Sequence, residues 1–255
     1  MLRSDSVQVT TLSGAAVSQM AEFVLMAMLA LGRRMLLMLR DPQSEQWAEG
    51  RFERYSPVEL RDSTVGVVGY GSIGREVARL CRAFGADVLA VKRDLMHLDQ
   101  EHYSQEGMGD PQADLVQRIY PPQAVGSMAE LCDFLVITVP LTPETRGMIG
   151  AKVLKSMKPE AFLVDISRGG VVDHGALIDA LSNNVLAGAA LDVYPVEPLP
   201  ASSPLWDMPN VILSPHVAGA SPRYYERAAE LFATNLRRYL GEQPLLNLFD
   251  PDRGY

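Results

Sequence analysis

Short β-branched apolar runs alternate with amphipathic stretches along most of this chain. Thr64-Val65-Gly66-Val67-Val68 is one such run, of the kind that forms a strand buried on both faces of a parallel sheet. After it, Ile73, Val77, Leu80, Cys81 and Phe84 are spaced to lie on one face of a helix, and Gly85 supplies a left-handed stop. Val88 to Val91, Phe134 to Thr138, Ala161 to Ile166, Ala187 to Val193 and Val211 to Ser214 read as further interior strands. Between them, Pro140-Leu141-Thr142-Pro143 turns into a helix reaching Met157, and Asp173 caps a helix through Leu181. Strand and helix alternating in this way predict an α/β fold built on a doubly wound parallel sheet.

The flanks follow other patterns. Val7 to Thr11 reads as a strand, and Val17 to Leu39 as one long packed helix. Glu22 and Arg33-Arg34 bracket only Phe23 to Gly32 as uncharged, too short a stretch to cross a membrane. Residues 40–62 are polar and broken, an ordered connection with Trp47 and Phe52 as its expected anchors. Residues 94–126, acidic and rich in Gly, Pro and Gln, read as an extended surface loop, after which a capping box from Ser127 to Glu130 restores order. Ser221-Pro222 opens a last helix with Ala228, Phe232, Leu236 and Leu240 along one side and Gly241 at its end, followed by a tail from Leu245 to Leu248.

Composition narrows the function. The chain has 255 residues, 47% hydrophobic, enough for a substantial core. A formal net charge of -8 argues against nucleic acid or an anionic membrane as the partner, since both repel it. Cys81 and Cys132 lack the spacing of a metal site or a disulfide scaffold and read as core thiols of a cytoplasmic protein.

The first strand runs into Gly69-Tyr70-Gly71-Ser72-Ile73-Gly74. Between a strand and a helix, the first glycine permits a tight turn, the second lets backbone approach a pyrophosphate, and the third lets the helix pack on the strand. Free N–H groups at the helix start then bind phosphate, so the unit reads as a Rossmann dinucleotide site. Ligands of open parallel sheets bind beyond the carboxyl ends of the strands, and three polar groups follow strands there: Arg168 within Ser167-Arg168-Gly169-Gly170, Glu197, and His216. Reducing a carbonyl by hydride leaves charge on oxygen, so it needs an acid that works near neutral pH and a cation for an anionic substrate. His216 and Arg168 suit those roles, and Glu197 suits the support of an imidazolium.

These segments, with Val139-Pro140-Leu141-Thr142-Pro143-Glu144-Thr145, Leu191-Asp192-Val193-Tyr194, Glu197-Pro198-Leu199-Pro200 and Ser214-Pro215-His216-Val217-Ala218-Gly219, resemble the D-isomer-specific 2-hydroxyacid dehydrogenases from about Val7 to the C-terminus. The resemblance implies that Arg168 binds the substrate carboxylate and carbonyl, that His216 is the general acid/base and that Glu197 orients and charges it. It implies that Ser72 and Ile73 meet the pyrophosphate and Asp192 the nicotinamide carboxamide, with Pro140, Thr145, Ile166, Ser167 and Gly219 lining the rest of the cofactor site. It also implies a small 2-oxo or 2-hydroxy acid such as glyoxylate or hydroxypyruvate as substrate, and a homodimer built on the long helix.

Two departures qualify it. The family usually ends its second strand in Asp, which takes the ribose hydroxyls of NAD, whereas here Lys92 is followed by Arg93, cations suited to the 2'-phosphate of NADP. Family members also carry a substrate lobe ahead of the long helix, which residues 1–16 represent here only as a remnant with the hinge. Residues 17–221 then form the dinucleotide-binding domain, and residues 222–255 form a helix and tail that return toward the lobe and expose part of their apolar face. The alternative is a dinucleotide-binding module without turnover. Formate dehydrogenases of the same superfamily usually carry Gln at the position of Glu197, and the phosphoglycerate branch often adds a regulatory domain that is not found here.

Overall fold

Apolar positions at helical spacing run through residues 17–39, yet the chain does not stay helical that far. The computed structural model describes residues 7–98 and 103–251, and in it α1 (Val17–Gly32) ends before α2 (Met35–Arg40) begins. Between them Arg34 takes a left-handed φ of 54°. The cause is packing: the Val58 N–H donates to the Gly32 carbonyl at 2.9 Å, and a Cβ on Gly32 would lie 2.7 Å from the Val58 oxygen. Two short helices follow, α3 (Gln43–Gln46) and α4 (Arg51–Arg54). Trp47 and Phe52, expected as anchors, are each 73% exposed. Asp41 fastens this connection instead, accepting from Arg54 Nε and the Tyr55 hydroxyl, each at 2.6 Å. Those two hydrogen bonds hold its carboxyl down at about 2.

The sheet is assembled from β1 (Thr64–Val68), α5 (Ser72–Ala83), β2 (Asp87–Val91), β3 (Arg118–Tyr120), α6 (Val125–Ala129), β4 (Phe134–Ile137), α7 (Ala151–Ser156), β5 (Phe162–Asp165), α8 (His174–Ser182), β6 (Gly188–Leu191) and β7 (Val211–Leu213). All seven strands are parallel, in the order β3-β2-β1-β4-β5-β6-β7. The period of two divides the strand residues between two cores. Val65, Val67, Phe134, Val136, Phe162 and Val164 pack toward α1 and α5, while Val68, Leu135, Ile137 and Leu163 pack toward α6, α7 and α8. Cys81 and Cys132 are buried on these faces, and burial pushes both thiols up to about 12.

Several local expectations give way to context. The stretch read as loop over 94–126 contains β3, whose three residues pair with β2 at the sheet edge and are too few to show as an apolar run; residues 99–102 of it lie outside the described residues. The capping box is absent: Ser127 sits inside α6, whose N-cap is Ala124 with no side-chain bond. A 3-10 turn at Pro122–Ala124 starts that helix instead. The helix reaching Met157 begins only at Ala151, because the Thr145 hydroxyl donates to the Pro140 carbonyl at 2.6 Å and folds the preceding residues into a turn. Asp173 does cap α8, accepting from the Ala176 N–H at 3.1 Å.

At the ends of the described chain, Val7 to Thr11 is no strand. Thr10 makes an isolated antiparallel bridge with Leu248, supported by Thr11 N–H to Asn247 O at 2.9 Å and Phe249 N–H to Val9 O at 2.8 Å. The last helix, α9 (Tyr224–Leu240), buries Leu231 and Asn235, while Phe232 is 64% and Leu240 74% exposed. Among the described residues no helix is long and apolar enough to cross a membrane.

The glycines of the first turn yield a paired expectation. A Cβ on Gly74 would lie 2.2 Å from the Gly69 carbonyl oxygen, whereas one on Gly71 meets nothing within 4 Å. Gly74→Ala is expected to cost about 1–3 kcal/mol in urea unfolding, and Gly71→Ala less than about 0.5 kcal/mol. Equal losses would contradict this packing.

Candidate active site

The first strand ends in a turn whose backbone geometry only glycine sustains at one point. Gly69 has φ 107°, and a Cβ there would press on Val139 and Thr138 at 2.8 and 2.9 Å. Gly71 faces open space, so a ligand can approach its backbone. Ser72 opens α5, and Ile73 behind it is partly buried in the core under α1. The twelve residues of α5 direct their first N–H groups and the positive end of the helix dipole at that space. An uncharged cradle with an open second glycine fits the pyrophosphate of a dinucleotide.

Neighbouring strand ends complete the groove. Lys92 and Arg93 follow β2, and the Gly69 and Tyr70 N–H groups both donate to Val91 O at 3.1 Å, which places the end of β2 beside the turn after β1. Pro140 and Thr145 belong to the hydroxyl-locked turn after β4. Gly219 lies after β7, and its carbonyl accepts from Gln19 Nε2 of α1 at 3.0 Å. Ile166 and Ser167, by contrast, turn their side chains inward: both are buried, Ile166 in the core and Ser167 with its hydroxyl on Asp165.

Beneath the polar loops lie two buried carboxylates on adjacent strands. Asp165 Oδ1 accepts from Ser167 N–H at 2.9 Å and Ser167 Oγ at 2.6 Å, so it shapes the turn that carries Arg168. Asp192 accepts from Val217 N–H at 2.8 Å, Ala218 N–H at 2.9 Å and Ser214 Oγ at 2.6 Å, so it shapes the turn that carries His216. His216 sits at φ 56°, uncommon for a residue with a Cβ, and the acceptors of Asp192 hold the turn that imposes it. Among the described residues Asp165 Oδ2 has no hydrogen-bond partner. Burial raises the Asp165 carboxyl to about 6 against the pull of its Ser167 bonds, and the charge of Asp192 adds to the rise.

Above these anchors the exposed groups converge. His216 Nδ1 and Glu197 Oε2 are 2.8 Å apart, and Tyr194 N–H donates to Glu197 Oε1 at 3.0 Å. The histidine bond and then the Tyr194 N–H hold the Glu197 carboxyl below its usual value, with the Arg168 charge a smaller contribution in the same direction. A carboxylate on Nδ1 makes that nitrogen the proton carrier and leaves Nε2 for a reacting group. Arg168 is exposed, with Nη1 donating to Ser167 O at 2.7 Å. Gly169 permits its turn, since a Cβ there would lie 1.9 Å from the Tyr194 oxygen. A hollow of about 430 Å3 lined by Met28, Arg33, Leu60 and Phe134 lies at the other end of the strands, away from these groups.

With this geometry in place, sequence comparison decides the family. The model described as D-isomer specific 2-hydroxyacid dehydrogenase, NAD binding domain, matches residues 25–218. The chain belongs to the D-isomer-specific 2-hydroxyacid dehydrogenase family. It is 30% identical over 247 residues to a glycerate dehydrogenase of Methylorubrum extorquens, covering 95% of this chain and 71% of that protein. It is 35% identical to a glyoxylate reductase of Thermococcus gammatolerans, covering 88% of this chain and 64% of the relative. The chain therefore spans about two thirds of the length of these curated relatives. Among solved structures, a D-isomer specific 2-hydroxyacid dehydrogenase from Xanthobacter autotrophicus in complex with NADPH and MES superposes with a TM-score of 0.81 at 34% identity, covering 100% of this chain and 98% of that one.

As a member of that family, the chain has a seven-stranded Rossmann sheet with the glycine turn and a His–Glu pair beyond the carboxyl ends of its strands. The residues expected from sequence all follow strand ends at this edge, and the side chains of Ile166, Ser167 and Asp192 turn inward. Asp192 is likewise buried, and its three chain donors leave about one of four acceptor positions for a carboxamide. Asp165 was not foreseen. Its signal is a carboxylate closing an otherwise apolar strand, the same pattern that Leu191-Asp192 shows one strand over.

Burial makes the Asp165 carboxyl harder to ionise in the folded protein than in the unfolded chain. The folded protein holds this proton more tightly than the unfolded chain, so its contribution to stability is full below about pH 4 and is lost as pH rises to about 6. Asp165→Asn keeps the Oδ1 acceptor and cannot ionise. Its melting temperature relative to wild type is expected to rise by about 3–6 °C between pH 4 and pH 7; a difference that does not change with pH would show that Asp165 pays no desolvation cost.

Proposed function

We propose that this chain carries the site of a nicotinamide-linked reductase for small 2-oxo acids of the glyoxylate and hydroxypyruvate type. The observation that carries the reading is the His216–Glu197 pair, 2.8 Å apart, at the same sheet edge as the glycine turn and Arg168. Curated relatives named glyoxylate reductase, glycerate dehydrogenase and glyoxylate/hydroxypyruvate reductase support the substrate class.

When bound, the nicotinamide supplies the hydride that goes to the carbonyl carbon. Arg168 binds the substrate carboxylate and draws electron density onto the carbonyl oxygen. His216 delivers the Nε2 proton to that oxygen, so the product is the 2-hydroxy acid. Glu197 keeps Nδ1–H in place and offsets the charge of the imidazolium before transfer. Lys92 and Arg93 favour NADP over NAD, since two cations at the end of β2 suit a 2'-phosphate better than bare ribose hydroxyls. A family structure from Sinorhizobium meliloti, an NADPH-dependent glyoxylate/hydroxypyruvate reductase in complex with NADP, supports that choice at 27% identity and a TM-score of 0.81.

We further read residues 17–221 as the cofactor domain, with residues 1–16 and 222–255 as the segments that connect it to a substrate lobe. The exposed Met26, Met35, Met38 and Leu39 along α1 and α2 support a homodimer, and two buried free thiols suit a cytoplasmic location. A dinucleotide-binding module without turnover is the second reading, favoured by the exposed Phe232, Leu236 and Leu240 on α9.

Loss of reduced-nicotinamide absorbance with glyoxylate and hydroxypyruvate separates the two. Turnover that His216→Asn lowers by about 100-fold or more, with NADPH affinity kept within about twofold, is the expected result. NADPH binding without turnover would favour the module, and equal affinity for NADH and NADPH would remove the role given to Lys92 and Arg93. A monomeric mass at micromolar concentration would refute the dimer.

A further inference from the structure

Beyond Arg93, residues 94–98 and 103–117 take no part in the chemistry above, yet they are joined to the glycine turn through buried charged and polar groups. Tyr70, between the first two glycines, is buried and donates its hydroxyl to the carboxylate of Asp110. Asp110 is itself 4% exposed and also accepts from Asp114 N–H at 2.9 Å and Leu115 N–H at 3.0 Å. Arg75, 2% exposed in the first turn of α5, lays its guanidinium 4.7 Å from the Tyr70 ring centre and donates to the carbonyls of Asp110 and Leu98. Glu76 beside it is buried, accepts from Gly109 N–H at 2.7 Å and pairs with Arg79.

Burying Arg, Glu and Asp together is costly unless every hydrogen-bonding position is matched, and covering apolar surface alone does not require them. Burial also pushes the Tyr70 hydroxyl far above its usual range, so it stays a donor.

The far side of the same segment is braced as well. Gln105 Nε2 donates to Gly14 O at 3.4 Å, and Tyr103 N–H donates to Asn247 Oδ1 at 3.1 Å. Gly14 has φ 99°, and a Cβ there would lie 2.6 Å from the Tyr103 carbonyl. Gly14, Val17, Ser72 and residues 103–105 and 108–109 close on one another without room for a water molecule. Ser72, whose N–H opens the phosphate-binding helix, is thereby backed by residues 103–109, which are tied at Tyr70 and Asp110 to the very turn they support.

We propose that Tyr70 and Asp110 are positioning residues for the dinucleotide: their hydrogen bond latches residues 103–115 against α5 and holds the Gly69–Gly74 turn in the geometry that receives pyrophosphate. The inference rests on the dinucleotide reading and deepens it. A turn held ready loses little freedom on binding, so opening the latch weakens cofactor affinity and leaves the chemical step alone.

The test uses the full chain, with NADPH affinity measured by fluorescence titration and kcat measured with glyoxylate at saturating NADPH. Tyr70→Phe removes one hydroxyl and keeps the ring beneath Arg75; Asp110→Ala removes the acceptor. Each is expected to weaken NADPH about tenfold with kcat within about threefold, and the double variant is expected to be no weaker than Asp110→Ala, since both changes open one latch. A change confined to general stability would lower the melting temperature and the active fraction without altering NADPH affinity. NADPH affinity within about twofold of wild type in Tyr70→Phe therefore overturns the proposal, and that variant still decides it should Asp110→Ala fail to fold. Wild-type protein that binds neither NADPH nor NADH would overturn the dinucleotide reading itself, and the latch with it.

Discussion

Strand order reverses at β1, and the placement of the candidate site depends on that reversal. With β2 on one side and β4 on the other, the connections after β1 and β4 leave the sheet in opposite directions and open a crevice between them. The turn after β1 fills that crevice with backbone N–H groups and no bulk. Gly74 lets α5 approach the Gly69 carbonyl closely enough for the helix to aim its N-terminus there. Because all the strands are parallel, each ends at the same edge, so Lys92, Thr145, Arg168, Glu197 and His216 follow strand ends on one side of the sheet although they are far apart in sequence.

The groups that would do chemistry are exposed loop residues, and their order comes from below. Asp165 and Asp192 sit side by side where β5 and β6 end, and each converts a flexible turn into a fixed one by accepting its N–H groups. Three donors converge on Asp192, two of them backbone N–H groups of the residues just after His216, which is why the turn can sustain a left-handed His216. Two buried carboxylates cannot both be fully charged at low cost. Asp165, whose one bonded oxygen meets only the donors of Ser167, carries the penalty of burial.

The long segment after β2 illustrates a different balance. Its composition is that of a solvated loop, but Arg75 and Glu76 on α5 reach its carbonyls and an N–H and bury themselves in doing so. The helix face toward that segment is charged, while the face toward the sheet carries Val77, Ala78 and Cys81. At the ends of the described chain, Asn247 ties both edges of the Thr10–Leu248 crossing by donating to Thr11 O and Ser13 O.

The interior strands, the glycine turn with its helix, the Asp173 cap and the residues after each strand were legible in the sequence. Apolar period, glycine spacing and a capping side chain all act over a few residues. What the sequence alone did not show depends on groups distant along the chain. The break at Arg34 is imposed by Val58 on Gly32, the three residues of β3 exist because β2 offers an edge, and Trp47 and Phe52 stay exposed, with the Arg51 guanidinium over their rings in place of a core. The burial of Arg75 depends on Asp110, a partner brought to it only by the fold. Local pattern determined the interior strands, the glycine turn with its helix and which residues are candidates for chemistry. Tertiary structure decided which side chains face the groove and which support it, because a hydrogen bond or a steric contact depends on distance in space, and only the folded chain defines that distance.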